Sequence, residues 1–143
     1  MENPTILRTE NGKPYVLNGP QFSITHTSER WYVALSDKTV GIDAELLSRT
    51  PNVSSVVKKF PVDEQKEILS TKDFLTHWVV KESAVKFLGG TLGKDLKRLA
   101  FINGELFYER SPFPVRVTLI EHENHVVSVC CEQDFSKVTF EKI

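Results

Sequence analysis

Three carboxylates and one ammonium group are spaced so that two short segments can converge on a single point. Asp43 and Glu45 stand two apart at the end of the apolar, strand-like run Gly41-Ile42-Asp43-Ala44-Glu45. The two-residue period of a strand sends both side chains to one face. Glu82 and Lys86 stand four apart in Trp78-Val79-Val80-Lys81-Glu82-Ser83-Ala84-Val85-Lys86, where a helical period again gives them a common face. Hard oxygen donors beside a cation suit a magnesium ion that is also held by a substrate's phosphates. Each pair has a plainer reading as well. An Asp-x-Glu pair on a strand edge is usually just solvated, and a Glu/Lys pair at i, i+4 is usually a surface ion pair contributing about 0.3–0.5 kcal/mol. Lys81 points away from the face of Glu82 and is left out of the chemistry.

The elements that must position these groups are marked by turn residues. Asn11-Gly12 separates Ile6-Leu7 from Tyr15-Val16-Leu17 and reads as a hairpin, which Asn18-Gly19-Pro20 ends. Phe22 to Thr25, Trp31 to Leu35 and Thr39 to Ala44 follow as strands rich in β-branched and aromatic residues. Past Pro51, Asn52 or Ser54 is placed to cap a short helix that must stop by Phe60, because the residue before Pro61 is pushed out of the α region. Pro61-Val62-Asp63-Glu64 has proline and acids where a second helix would begin. A third helix is expected from Asp73 to Leu88, with Phe74, Trp78, Val85 and Leu88 as its apolar stripe and Gly89-Gly90 as its end. Gly89-Gly90-Thr91-Leu92-Gly93 follows a helix C-terminus instead of preceding an N-terminus, so it reads as a cap and connector and not as a nucleotide loop. Asn103-Gly104 marks a second hairpin, and Val115 to Ile120 with His125 to Cys131 reads as a further antiparallel pair. The expected fold class is α+β, an antiparallel sheet packed on one long helix.

Composition sets outer bounds. The 143 residues fit one domain, 1–143, long enough to bury a core. Hydrophobic content of 40% and charged content of 26% are ordinary for a globular protein. A net charge of −1, from 18 basic and 19 acidic residues, argues against nucleic acid or an anionic membrane as partner. No apolar stretch reaches the length of a membrane span, and the polar opening Met1-Glu2-Asn3-Pro4 is unlike a signal peptide, so a cytoplasmic setting is expected. The only cysteines, Cys130 and Cys131, are neighbours in a strand and point to opposite faces, which disfavours a disulfide between them.

Gly-Ile-Asp-x-Glu at 41–45, followed by Trp-x-x-Lys-Glu-Ser-x-x-Lys at 78–86, resembles the two signature motifs of the 4'-phosphopantetheinyl transferase superfamily. Upstream, Gly12-Lys13-Pro14, Phe22-Ser23-Ile24-Thr25-His26-Thr27 and Trp31-Tyr32-Val33-Ala34-Leu35 resemble the region that precedes the Gly-Ile-Asp motif in the surfactin-synthetase-activating type. The likeness runs from about Arg8 to about Cys131, with the motifs in the right order. It implies transfer of 4'-phosphopantetheine from coenzyme A to a serine of an acyl- or peptidyl-carrier protein, releasing 3',5'-adenosine diphosphate. It also implies magnesium on Asp43, Glu82 and Glu45, and Lys86 on the phosphoryl oxygens. The base for the serine proton is Glu82 or a metal-bound water beside it.

Alone, His26 would read as a partly buried histidine bonded to backbone. Within Ile24-Thr25-His26-Thr27 it matches the family histidine that contacts a phosphate of coenzyme A, and Thr25 and Lys13 join it as expected coenzyme contacts. The Gly-rich loop after the helix matches one that lines the carrier-protein side in the family. Two departures stand out. Most of the first half of the surfactin-type pseudodimer has no counterpart here, so a 4'-phosphopantetheinyl transferase-like half that completes its site as a homo-oligomer, dimer or trimer, is expected. Ala44 replaces the usual Ile or Val, thinning the packing on its face but leaving both acids. Two other readings stay open: a degenerate relative that binds coenzyme A or a carrier protein without transfer, and a structural subunit of a synthase.

Overall fold

The computed structural model describes residues 6–132. The opening Met1 to Pro4, read above for a targeting signal, lies outside the described residues. Antiparallel hairpins account for most of the strands, and several turn through residues of positive φ. β1 (Ile6–Arg8) pairs with β2 (Pro14–Val16), around Gly12 at φ +88°. β3 (Gln21–His26) pairs with β4 (Trp31–Ser36). After β5 (Val40–Leu46) come α1 (Val53–Val57), α2 (Val62–Gln65), α3 (Thr71–Leu88) and α4 (Leu92–Asp95). β6 (Leu99–Ile102) then turns through Asn103 and Gly104, at φ 51° and 79°, into β7 (Glu105–Tyr108), the signature of a two-residue hairpin turn. β8 (Ser111–Pro112), β9 (Arg116–His122) and β10 (His125–Cys131) complete the chain.

Strands and helices are both present, but the single antiparallel sheet expected from the sequence is divided into four: β1-β2, β3-β4, β5-β10-β9 and β6-β7-β8. The division has a local cause beside β5. The backbone N–H of Ile42 donates to the Ser23 hydroxyl at 3.1 Å, so side chains rather than a backbone ladder join β3 to β5. β10 is the centre of the molecule and is buried at every position. Val127, Val129 and Cys131 pack with Val40, Ile42 and Ala44 of β5 and with Tyr32 and Ala34 of β4. On the opposite face Cys130 packs with Val80, Ala84 and Val85 of α3. The two cysteines are free, as their alternation demands.

α3 begins at Thr71, two residues before the expected Asp73, because Ser70 caps it: its hydroxyl accepts from the Asp73 N–H at 3.1 Å. The Asp73 carboxylate accepts from the Leu69 N–H at 3.0 Å, a variant of the reciprocal capping box. Gly89 at φ 67° ends the helix, and Gly90 N–H reaches back to the Val85 carbonyl. The buried surface is wider than the predicted stripe. Phe74 and Val85 are buried, Trp78 is half-buried and Leu88 is exposed, while Leu75, His77, Val79, Val80, Lys81 and Ser83 are also buried. Asn52 precedes α1 but makes no capping bond to its backbone.

Lys81 explains part of that width. It is fully buried, its ammonium donating to Glu64 of α2 at 2.7 Å and to the Leu99 carbonyl, over the Phe60 ring. His77 bonds the second Glu64 oxygen at 2.8 Å. Burial pushes the Lys81 ammonium below its ordinary pKa, and Glu64 opposes the shift. Removing one partner from such a pair strands a buried charge, so Lys81→Ala is expected to cost about 3–5 kcal/mol of stability in urea unfolding. Lys81→Met combined with Glu64→Gln should recover most of that loss; a double variant as unstable as Lys81→Ala would refute the charge-pair account.

Candidate functional site

The site is set by how closely α3 lies on β5. A Cβ built on Gly41 would sit 2.0 Å from the Ser83 carbonyl oxygen and 2.5 Å from the Phe87 nitrogen, so only glycine lets the helix backbone rest there. In β5 the apolar Val40, Ile42 and Ala44 take the face toward β4. The alternate residues Gly41, Asp43 and Glu45 therefore take the face toward α3, where Ser128 of β10 stands opposite Asp43 in register. Ser83 donates to the Val80 carbonyl at 2.8 Å, which leaves its oxygen to accept from Ser128, also at 2.8 Å.

Asp43 is 8% exposed and takes two side-chain bonds on one oxygen, from the Thr25 hydroxyl at 3.0 Å and from the Lys86 ammonium at 3.3 Å. Lys86 also donates to the Ile24 carbonyl at 3.2 Å and the Ile42 carbonyl at 2.9 Å. One ammonium thus ties β3, β5 and the acid to α3. Burial raises the Asp43 pKa above the ordinary carboxylate range, against the pull of Lys86 and the Thr25 hydroxyl.

Glu82 feels the same crowding more strongly. Its pKa is pushed up to about 7, first by burial and then by the charge of Asp43, with Glu45 adding to the rise and Lys86 opposing it. Glu45 is held by Arg49 at 2.6 Å. Sequence and structure therefore bring Thr25, Asp43, Glu45, Glu82 and Lys86 to one locality. Among the described residues no three His, Cys, Asp or Glu side chains are gathered into a ready-made metal cage; Asp43 is bonded to Thr25 and Lys86 and Glu45 to Arg49.

His26 stands apart from that bonded group, at the rim. It is exposed and stacks on Trp31, with ring centroids 4.4 Å apart, and not against backbone. With Thr27, Ser28, Glu45, Ser48 and Arg49 it lines an open cleft of about 490 Å³. The turn behind it is pinned by Thr27, whose oxygen accepts from the Glu29 and Arg30 N–H groups while its hydrogen goes to His125 Nε2 at 2.8 Å. Lys13 lies elsewhere. Its ammonium donates to the Val40 carbonyl at 2.9 Å and the Lys86 carbonyl at 2.7 Å, and burial, then Lys86, lowers its pKa.

Sequence reasoning passed over Arg49, Ser128 and His125. Arg49 is four residues after Glu45, the i, i+4 spacing that was read for Glu82 and Lys86. Ser128 and His125 carried no local signal, because both act across strand pairings.

Comparison with known proteins points to one family. Residues 39–130 match the profile of the 4'-phosphopantetheinyl transferase superfamily. A 4'-phosphopantetheinyl transferase named gsp from Aneurinibacillus migulanus is 30% identical over 95 residues, covering 62% of this chain and 39% of its own. An L-aminoadipate-semialdehyde dehydrogenase-phosphopantetheinyl transferase from Xenopus laevis is 28% identical over 116 residues, covering 66% of this chain and 38% of its own. The chain thus spans less than two fifths of either relative's length.

The raised Glu82 pKa has a consequence for stability. Between the ordinary value of 4.5 and about 7 the folded protein keeps a proton that the unfolded chain has lost, so stability from this group falls as pH rises through that window. Glu82→Gln, which mimics the protonated acid, should match the wild type near pH 4 and exceed it at pH 8 by roughly 1–3 kcal/mol. Denaturant unfolding across that range checks it, and a pH-independent difference would contradict the assignment.

Proposed function

Because the chain belongs to the 4'-phosphopantetheinyl transferase superfamily, we propose that it transfers 4'-phosphopantetheine from coenzyme A to a serine of an acyl- or peptidyl-carrier protein, releasing 3',5'-adenosine diphosphate. The observation that carries the reading is the meeting of Asp43 and Glu45 on β5 with Glu82 and Lys86 on α3, where burial first and the neighbouring acids second push Glu82 up to about 7. The reading takes residues 1–143 as one domain, equivalent to one half of the family's pseudodimer.

Three mutually repelling carboxylates fit magnesium in donor type, and Asp43, Glu45 and Glu82 are the residues that would hold it. A bound magnesium supplies positive charge to the diphosphate of coenzyme A. The chain's own groups do the rest. Lys86, whose three N–H donors are held by Ile24, Ile42 and Asp43, lends the phosphate site its positive charge instead of a direct bond. Glu82 takes the serine proton directly or through water. His26, open at the rim of the cleft, meets a phosphate of the coenzyme, while the buried Thr25 serves the site through its bond to Asp43. Lys13 serves the coenzyme site indirectly, through the Lys86 and Val40 carbonyls it holds.

Two features extend the proposal. Trp31, Val33 and Leu35 alternate outward along β4 at 71%, 52% and 65% exposure, an apolar sheet face that supports a homo-oligomer, dimer or trimer. Free, buried Cys130 and Cys131 suit a reducing, cytoplasmic setting. No helix among the described residues is long and apolar enough to cross a membrane.

Incubation with coenzyme A, magnesium and a panel of apo carrier proteins, read by intact mass, tests the transfer. Asp43→Ala and Glu82→Ala should each abolish the mass gain, by a factor of about 10² or more, and undiminished transfer by either removes the site assignment. Coenzyme A binding without transfer to any carrier would favour the non-catalytic relative. His26→Ala should weaken coenzyme A more than dephospho-coenzyme A, since only the former carries the 3'-phosphate; equal losses would make His26 structural. Sedimentation should show more than a monomer, and Trp31→Ser with Leu35→Ser should reduce the assembly; a wild type that stays monomeric at high concentration rules out the oligomer.

A further inference from the structure

The three acids differ in what neutralises them. Asp43 is held by Thr25 and Lys86, and Lys86 is itself fixed by the Ile24 and Ile42 carbonyls. That arrangement is part of the fold. Glu45 is held by Arg49, whose side chain is 51% exposed and just past the end of β5. Glu45 is the only side-chain partner of that guanidinium among the described residues. The same guanidinium lines the cleft at whose rim His26 stands.

We propose that Arg49 is an exchangeable counter-ion: it holds Glu45 until a divalent cation takes that carboxylate, and is then released into the cleft that it lines with His26, where it meets the substrate's phosphate. The inference rests on the proposed function. Its physical basis is that a guanidinium and a divalent cation on one carboxylate repel each other within a few ångströms, and that a freed arginine fork matches a phosphate better than a lysine does. The exposed guanidinium loses little on leaving, since exposed pairs are weak, whereas the fixed Lys86 stays in place. Arg49 thus acts as a positioning residue for Glu45 before the cation binds and as a phosphate contact afterwards.

The test uses the whole chain and reads binding, not activity. Magnesium titrated alone by calorimetry should bind Arg49→Gln about two- to fivefold more tightly than the wild type, because the competitor is gone. The gain should vanish when Glu45→Gln is added. With magnesium saturating, coenzyme A should bind Arg49→Gln about fivefold or more weakly. A variant that merely unfolds would lose affinity for both ligands, so gain for one and loss for the other separates exchange from damage, and the melting temperature of each variant confirms folding. Unchanged or weaker magnesium binding by Arg49→Gln, or a gain that persists without Glu45, overturns the exchange alone. If Asp43→Ala binds magnesium as well as the wild type, the metal reading falls and the exchange falls with it.

Discussion

The contact of the α3 backbone with Gly41 is the constraint on which the site depends. The space above β5 at that position is already filled by the Ser83 carbonyl and the Phe87 amide, so the helix lies as close to the strand as two backbones allow. Glu82 and Lys86, one residue before and three after Ser83, are thereby brought against the face of β5 that carries Asp43 and Glu45. A helix held off by one side chain's thickness would leave Lys86 short of the Ile24 and Ile42 carbonyls it now bridges. The same approach buries Asp43 and raises the pKa of Glu82, so geometry and electrostatics share one cause.

α3 carries two kinds of charged cluster on different faces. Lys81, Glu64 and His77 form a closed set in which each acid oxygen has a partner, and this set locks α2 and β6 to the helix. Asp43, Glu45 and Glu82 form an open set with excess negative charge, which burial makes costly. Consecutive residues Lys81 and Glu82 therefore have opposite tasks. The first satisfies a buried acid, while the second is left with an acid's problem that a bound cation would solve.

What was legible in the sequence was what local spacing encodes. The strands around Asp43, the helix bearing Glu82 and Lys86, its glycine stop and the Asn103-Gly104 hairpin all follow from periods of two and 3.6 and from turn chemistry. The start of α3 was displaced by two residues because the Ser70 to Asp73 cap precedes the apolar pattern used to find the helix. The separation of β3 from β5 was hidden because Ser23 replaces a backbone partner of Ile42. Lys81 looked like a surface lysine to any hydropathy pattern, and its partner Glu64 lies on a separate one-turn helix. In the candidate site, Asp43, Glu45, Glu82 and Lys86 were visible as spaced pairs, whereas the place of Lys13 on two carbonyls depends on three elements meeting in space.

The central place of β10 bears on how the protein is made. Its partner β5 is in the first third of the sequence, and β10 is the last strand of the described chain. Contacts of such long sequence separation slow folding, since a large loop must close before any of them forms. During synthesis β5 and α3 leave the ribosome long before β10 does, exposing apolar positions that β10 later covers. Until His125 to Cys131 emerge, Ser128 is not beside Asp43. Nascent chains therefore hold open apolar surface through much of their synthesis, and the packing around Asp43 is completed late.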